Sequence, residues 1–163
     1  MEIRTYGDPV LRKEAELVKQ IDGGVKQTCE TMVEAMIRAN GVGIAAPQIG
    51  ISKRIIALDI DGNFHVMINP QIVERSEDDQ QVEEGCLSIP GVNALVTRRQ
   101  TARIKGFTLD EKEIEIEGEG LMARAIQHEI DHLNGVLFID HIGPTRRRFL
   151  LKEYNRKQKE SEE

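Results

Sequence analysis

Residues 121–134 read LMARAIQHEIDHLN, and the spacing of their apolar residues decides how the chain folds around them. At about 100° per residue, this segment forms a helix with three faces. The apolar face consists of Met122, Ile126, Ile130 and Leu133. A narrow adjacent face consists of Leu121, Ala125, His128 and His132. The polar face consists of Arg124, Gln127, Asp131 and Asn134. Such a helix is predicted to run through the core, with both histidines facing into it.

The two histidines of HEIDH lie one helical turn apart, so both rings can direct a nitrogen to the same metal ion. Glu129 projects about a quarter turn from His128 and can reach a water on that ion without being a ligand. The pair can also be read as two core histidines, each bonded to a backbone carbonyl. Two imidazoles at this spacing beside a glutamate favour the metal site.

A catalytic metal site needs a third protein ligand. In the metalloprotease pattern HExxHxxGxxH a third histidine follows, but Phe138 occupies that position here. His141 is predicted to be a surface residue near Asp140, and His65 to face solvent or a neighbouring strand. The stronger candidate is Cys86 in EEGCLSIPG, because a thiolate is a strong ligand and the flanking Gly and Pro make the segment too irregular for a plain core strand. Cys86 can also be a small buried hydrophobe.

The rest of the chain is predicted to form helices at both ends and short strands between them. Residues 24–39 carry apolar side chains at helical spacing, and Asn40-Gly41 ends that helix. Residues 54–60 and 64–69 flank the turn DGN and predict a β-hairpin. Further strands are predicted in QIVERS, NALVTRR, TARIKGFTL and EIEIEGE, and a second amphipathic helix in residues 145–159. This order predicts an α+β fold.

Length and composition predict one soluble domain over residues 1–163. The N-terminal stretch lacks the apolar run of a secretory signal, and no segment has the ~20 apolar residues of a membrane span. A reducing cytosol argues against pairing of the two cysteines. Cys29 lies on the apolar stripe of the first helix and is predicted to be a core residue.

The C-terminal segment, residues 145–163, is predicted to be a basic helix with a short acidic end. Residues 145–159 hold seven Lys or Arg and one acidic residue, Glu153, whereas the whole chain has a formal net charge of −6. One interpretation is a solvated helix that docks on the body through Phe149, Leu150 and Tyr154. The other is a surface that contacts RNA through its clustered cations.

Three motifs occur in one order, GVGIAAPQ (41–48), EGCLS (84–88) and QHEIDH (127–132), and together they resemble the peptide deformylases. The opening GDPVLRKEA is also similar to that family, so the resemblance spans about residues 4–150. It implies antiparallel β-sheets packed around a central helix carrying HExxH, with an N-terminal and a C-terminal helix. It also implies a metal-dependent hydrolase that removes the formyl group from N-terminal N-formylmethionine of newly made polypeptides and releases formate.

The resemblance implies a role for each matching residue. The implied metal ligands are Cys86, His128 and His132. Glu129 becomes the general acid/base, and the Gln48 side chain and the Leu87 N–H help the metal to stabilise the oxyanion. Glu84 and Arg98 resemble a supporting ion pair that braces the Cys86 loop; otherwise they are ordinary surface charges.

The small residues of GVGIAAPQIG allow a substrate peptide to lie alongside as an added strand, or form a tight helix-to-strand connection. The substrate-binding residues implied are Val42, Gly43, Ile44, Val82, Gly85, Leu121, Arg124 and Ala125. Ile44 stands where the family often has Leu, a near volume-conserving change. Asn93 stands where some members carry Arg. Arg124 is expected to pair with Asp131 and to leave only its stem at the pocket rim.

A Cys/His/His set suits zinc, iron, cobalt or nickel. The resemblance implies one divalent ion, Fe²⁺ as the native metal with Zn²⁺, Ni²⁺ or Co²⁺ able to substitute, and N-formylmethionyl nascent peptides as substrates in the bacterial cytoplasm. Membrane and DNA are not expected partners, and contact with the ribosome through the basic helix is a hypothesis. There are two rival functions. One is a metalloprotease, which is disfavoured because Phe138 stands where its third histidine would be. The other is a non-catalytic metal-stabilised module that binds ribosomes or RNA, which is disfavoured because such a module needs no acid/base group such as Glu129.

Overall fold

A computed structural model describes residues 2–162, which form three α-helices and seven β-strands. The helices are α1 (Gly23–Arg38), α2 (Gly120–Leu133) and α3 (Pro144–Ser161). The strands are β1 (Gly43–Ala45), β2 (Ile55–Ile60), β3 (Asn63–Arg75), β4 (Asp79–Cys86), β5 (Ile89–Arg99), β6 (Thr101–Phe107) and β7 (Glu113–Glu119). The predicted α+β class is confirmed, because antiparallel sheets pack against helices that precede and follow them in the chain.

The strands form one sheet of five, in the order β1-β2-β3-β6-β7, and one of two, β4-β5. The predicted hairpin is confirmed as β2 and β3, joined by Asp61-Gly62. Both residues have positive φ, 52° and 82°, as the tight two-residue turns that match strand twist require. The short strand β1 pairs only with β2 and is therefore an edge of the larger sheet.

Two strand predictions need correction. The separate strands expected on either side of Pro70 are one strand, β3, whose pairing with β6 shifts register between Ile68 and Gln71. Proline has no N–H for the ladder, and this irregularity accommodates it. The strand β4 was not predicted, because its one fully buried side chain is the charged Glu84, so it lacks an alternating apolar pattern.

Helix α2 packs against strands of both sheets and fills the space between them. Its apolar face, including Ile126, Ile130 and Leu133, lies in a core cluster with Ile56 and Leu58 of β2. The helix runs through the core as predicted, and even on its polar face Arg124 and Gln127 are both 5% exposed. The helix that carries HEIDH is therefore held on nearly every side.

Helix α1 begins where the Asp22 side chain accepts a hydrogen bond from the Val25 N–H, and it buries Cys29, Met32 and Met36 as predicted. Burial raises the pKa of the Cys29 thiol to about 11, so this cysteine is an unreactive core residue. Of the two cysteines, therefore, only Cys86 lies near polar side chains.

Helix α3 packs against β5 through Leu150 and Tyr154, both buried. The prediction that Phe149 also docks on the body is wrong, since this side chain is 69% exposed. Leu150 and Tyr154 are four residues apart and share a face, whereas Phe149 is turned about 100° from Leu150. None of the described helices is long and apolar enough to cross a lipid bilayer.

Candidate active site

His128 and His132 project from α2 towards each other, as their spacing predicts. Their Nε2 atoms are 3.2 Å apart, and both residues are buried. The ring of His128 is oriented by Glu84, whose Oε1 accepts the hydrogen bond from Nδ1. This contact leaves Nε2 of His128 free to face the ring of His132.

Cys86 brings the third donor atom to the two rings. It is the last residue of β4, and its Sγ lies 3.3 Å from Nε2 of His132. The turn of Leu87 and Ser88 then reverses the chain into β5, and the Ser88 N–H donates to the same sulfur at 3.4 Å. One ligand atom from each of Cys86, His128 and His132 lies within 4.8 Å of the others.

This donor set fits a divalent metal ion. Two ligand atoms on one tetrahedral metal, at about 2.0–2.3 Å from it, are about 3.3–3.6 Å apart, close to the separations observed here. Burial lowers the pKa of His132 well below its usual value, which favours the neutral ring that a metal ligand needs. Burial also opposes the charge on His128, but the charge of Glu129 and the hydrogen bonds to Cys86 and Glu84 outweigh burial and raise the pKa of His128, so this ring gives up a proton when a metal binds. Three protein donors, one of them a thiolate, are the set of a catalytic zinc- or iron-type site with an open position.

Glu84 is the centre of a buried charge network behind the histidines. Its carboxylate accepts hydrogen bonds from Arg98 Nε at 3.0 Å and Nη2 at 2.6 Å, and also from Arg124 and His128. Burial alone opposes its ionisation, but the His128 and Arg98 contacts outweigh this and hold the pKa of Glu84 well below its usual range. The predicted pair with Arg98 is confirmed, and it is 6–7% exposed rather than a surface pair.

The expected pairing of Arg124 with Asp131 is wrong. Arg124 donates to Glu84 and to the Val96 carbonyl, because strands of the smaller sheet cover this side of α2. Asp131 instead accepts from Arg98 at 2.7 Å and from His141 at 2.8 Å. His141 is at the surface as predicted, although its partner is Asp131 rather than Asp140.

Glu129 is buried and lines the same cavity as Cys86 and His128. Its Oε1 has no hydrogen-bond partner among the described residues. Burial raises the pKa of Glu129 to about 7, within reach of proton exchange at neutral pH. A Cβ on Gly43 would lie 2.6 Å from Oε2 of Glu129, so this glycine lets β1 approach the carboxylate.

Gln48 and Leu87 reach Cys86 from elements other than α2. Gln48 is fully buried in the short 3₁₀ helix Ala46–Ile49, rather than on an open loop, and its Nε2 lies 3.8 Å from Cys86 Sγ. Leu87 is in the turn between β4 and β5, beyond the last paired residues Cys86 and Ile89. A glutamine N–H and a turn N–H therefore lie next to the cysteine.

A cavity of about 540 Å³ opens onto Glu129, His128 and Cys86. Six of the eight residues predicted to bind substrate line it: Val42, Gly43, Gly85, Leu121, Arg124 and Ala125. Ile44 does not, because its side chain is fully buried in the core, and Val82 also lies outside the lining. Asn93 faces Gly85 across the cavity rim. The sequence provided no signal for Pro90 and Gly91, which also line it.

The fold and this cluster define a hydrolase of the class in which a buried glutamate accompanies three side chains that could hold a metal ion. A family model for polypeptide deformylase matches residues 1–148, and the chain belongs to that family. It is an enzyme, a hydrolase acting on N-formylmethionyl peptides.

Relatives and solved structures agree with this assignment over nearly the whole chain. The chain is 44% identical to a peptide deformylase of Thermodesulfovibrio yellowstonii, over 96% of this chain and 98% of the relative. It is 49% identical to that of Halothermothrix orenii, over 87% and 93%. The crystal structure of a Legionella pneumophila peptide deformylase superimposes with a TM-score of 0.94 at 38% identity, covering 98% of this chain and 96% of the other.

A second solved structure is that of a complex. The peptide deformylase of Synechococcus elongatus in complex with actinonin superimposes with a TM-score of 0.91 at 39% identity, covering 95% of this chain and 86% of the other.

Proposed function

We propose that residues 1–163 act as one catalytic domain that removes the formyl group from N-terminal N-formylmethionine of newly made polypeptides and releases formate. The observation that carries this proposal is the position of Glu129, a buried carboxylate with a pKa of about 7 on the wall that it shares with Cys86 and His128. Amide hydrolysis requires a group that takes a proton from water and returns it to the leaving nitrogen. Glu129 is suited to both tasks.

Cys86, His128 and His132 would hold the metal ion, and Fe²⁺ is proposed as the native one, with Zn²⁺, Ni²⁺ or Co²⁺ able to substitute. When bound, the metal supplies the Lewis acidity that activates water and polarises the formyl carbonyl. Glu84 keeps the His128 ring oriented with its proton on Nδ1. This second contact makes the histidine a rigid ligand.

Glu129 carries the proton through the reaction. Its carboxylate takes a proton from the attacking water and then delivers it to the amide nitrogen as the bond between the formyl carbon and nitrogen breaks. Formate and the free amino terminus of methionine are the products. The unpartnered Oε1 supports this role, since no protein hydrogen bond among the described residues has to break before the proton moves.

The developing oxyanion would be stabilised by the Gln48 side chain and the Leu87 N–H. Both lie beside Cys86, and both are donors held by the fold before substrate arrives. Loss of the Gln48 amide in Gln48→Ala is expected to lower turnover on the order of 10²-fold.

The substrate backbone is proposed to lie as an added strand between the edge strand β1 and Gly85 at the end of β4. Val42 and Gly43 would pair with it on one side and Gly85 on the other. The methionine side chain would enter the part of the cavity formed by Val42, Leu121, Arg124, Ala125 and the His128 ring. Ile44 supports this wall from the core, and Val82 extends the exposed rim.

The test is formate release from a short N-formyl-Met peptide by protein prepared without oxygen and loaded in parallel with Fe²⁺, Ni²⁺, Co²⁺ or Zn²⁺. Formate from the wild type, with Fe²⁺ the most active and Glu129→Ala inactive but metal-loaded, is the expected result. Cleavage of internal bonds in an N-acetylated peptide would indicate a metalloprotease. No product from folded, loaded protein would indicate the non-catalytic binding module.

We also propose that the enzyme works in the bacterial cytoplasm and contacts the ribosome through α3. The supporting observation is an exposed surface on which Phe149 is flanked by the cations Arg146, Arg148 and Lys152. Arg147 differs from these, because it donates to the carbonyls of the preceding turn and holds the start of α3. Exposed cations with an aromatic side chain suit phosphate and base contacts in RNA.

Ribosome co-sedimentation of a variant with Arg146, Arg148 and Lys152 replaced by Gln tests this contact. The matched control replaces the exposed Lys13, Lys19 and Lys26 by Gln, which changes the net charge equally elsewhere. Binding that is lost only in the α3 variant, and that weakens with salt in the wild type, is expected. Equal binding by the two variants would remove the proposal and leave α3 as a structural helix.

A further inference from the structure

Ser88 is a fully buried serine at the end of the EGCLS motif, and the mechanism above gives its side chain no role. It lies in the turn after Cys86, and three of its groups have defined partners. Its N–H donates to Cys86 Sγ at 3.4 Å, its carbonyl accepts from the Tyr6 N–H at 2.8 Å, and its Oγ accepts from Gln48 Nε2 at 3.1 Å. The backbone contacts hold the turn, so the side chain is available for a separate task.

The Gln48 amide is fixed at both ends. Its Oε1 accepts a hydrogen bond from the Ala45 N–H at 2.9 Å. A backbone N–H can only donate, so this bond decides which end of the amide is oxygen and turns Nε2 towards Ser88 and Cys86. Nε2 has two N–H groups. With one given to Ser88, the amide plane is set and the other lies on the Cys86 side, 3.8 Å from Sγ.

We propose that the Ser88 hydroxyl is a positioning group for the reaction: it accepts one N–H of Gln48 and thereby aims the other at the formyl oxygen. This inference rests on the oxyanion role proposed for Gln48. Without the hydroxyl, the amide is held only through Oε1 and can rotate about its terminal bond. Oxyanion donors act through fixed direction rather than proximity alone, so the loss falls on the transition state and not on substrate binding.

The test is a double-mutant cycle of wild type, Ser88→Ala, Gln48→Ala and the double variant, with kcat, KM and metal content measured on N-formyl-Met peptide. Ser88→Ala deletes one atom and leaves the backbone bonds to Cys86 and Tyr6. We expect it to lower kcat roughly 10-fold with KM and metal content unchanged, and to lower kcat less than about 2-fold when Gln48 is already Ala. Ser88→Thr keeps the acceptor and is expected to retain more activity than Ser88→Ala.

Each of the other possible outcomes would contradict either the Ser88 inference or the oxyanion role of Gln48. Equal losses in both backgrounds, or a loss that follows metal content, would mean that Ser88 acts on Cys86 or on packing and not through Gln48. A fall in kcat with Gln48→Ala but none with Ser88→Ala would overturn the Ser88 inference alone. Unchanged kcat in Gln48→Ala would remove the oxyanion role, and the Ser88 inference with it, while leaving the deformylase reaction intact.

Discussion

Glu84 and Glu129 are both buried carboxylates beside His128, yet their surroundings differ in every respect. Glu84 accepts hydrogen bonds from two arginines and a histidine, and its pKa is far below the usual range. Glu129 has an oxygen without a partner among residues 2–162, and burial raises its pKa to about 7. Because their surroundings move the two pKa values apart, the same residue type has two roles. Glu84 stays an anion and orients the His128 ring, whereas Glu129 is suited to carry a proton.

The positions of the two residues explain this difference. Glu84 points from β4 into the space between the smaller sheet and α2, where Arg98 of β5 and Arg124 of α2 converge on it. Glu129 points from α2 towards β1, where Gly43 presents only backbone. Arg98 and Arg124 therefore form hydrogen bonds with Glu84 and not with Glu129.

The largest effect is expected from Glu129→Gln, which keeps the shape of the side chain and removes its proton exchange. Turnover should fall about 10²–10⁴-fold, because general acid/base catalysis contributes that much. Metal content should stay at the wild-type level, since Glu129 is not among the three donor residues. Formate release and metal analysis on the same sample check both. Turnover within a few-fold of wild type would show that another group moves the proton.

Glu84→Gln should act on stability and metal retention instead. It leaves Arg98, Arg124 and the His128 Nδ1 around a neutral amide, so the free energy of unfolding should fall by about 3–5 kcal/mol. Metal affinity should fall about 10–100-fold as the His128 ring loses its anchor. Urea unfolding and competitive metal titration measure the two effects. The control is Glu83→Gln, one residue away and exposed, with a change in stability of about 0.5 kcal/mol or less.

Gly43→Ala should separate activity from stability. The added methyl would lie 2.6 Å from Glu129 Oε2, the flexible end of a side chain, which can move aside at little cost in folding. A displaced carboxylate should lower turnover on the order of 10²-fold, because misplacement by about 1 Å has effects of that size. Formate release and urea unfolding are compared with Gly23→Ala, where a Cβ meets nothing within 4 Å. Unchanged turnover in Gly43→Ala would mean that the position of Glu129 is not critical.

Much of the fold could be predicted from periodicity. Helix α1, helix α2 and strand β2 follow from apolar spacing and turn residues, and the structure has them within a residue or two of the predicted bounds, whereas β3 continues beyond the predicted end at residue 69 to Arg75. The strand β4 could not be predicted this way, because its buried side chain is Glu84. A strand that buries a charge needs partners from distant segments, and a local pattern does not contain them.

The candidate metal donors were visible as a spacing in α2 and as motifs shared with a family, and so was the pair of Glu84 with Arg98. The contacts that Arg124 and Asp131 make with that pair were not visible. A helical wheel groups Arg124 with the polar residues of α2, but it takes no account of the sheet that covers them and supplies Glu84 as its partner. The same limit explains the error at Asp131, whose partner Arg98 comes from β5, and the error at Phe149. Ser88 lies in the EGCLS motif, but the contact of its Oγ with Gln48 Nε2 joins two distant segments, and a local pattern does not contain it.

The two carboxylates should finally differ in how they link pH to the stability of the metal-free protein. The folded pKa of Glu129, about 7, lies above its ordinary value of 4.5, so the folded state binds this proton more tightly than the unfolded state. Its effect is an unfolding free energy that falls as pH rises from about 4.5 to 7, by about 2–3 kcal/mol, and Glu129→Gln should lack this fall. Glu84 has a lowered folded pKa, so its stabilisation is present above the unfolded value of 4.5 and is lost only as pH falls below it. In urea unfolding with a chelator between about pH 5 and pH 7, the gap between wild type and Glu129→Gln should therefore change with pH. Parallel curves for Glu129→Gln and wild type would mean that Glu129 is ionised in the folded protein throughout, and that its position beside Gly43 does not raise its proton affinity.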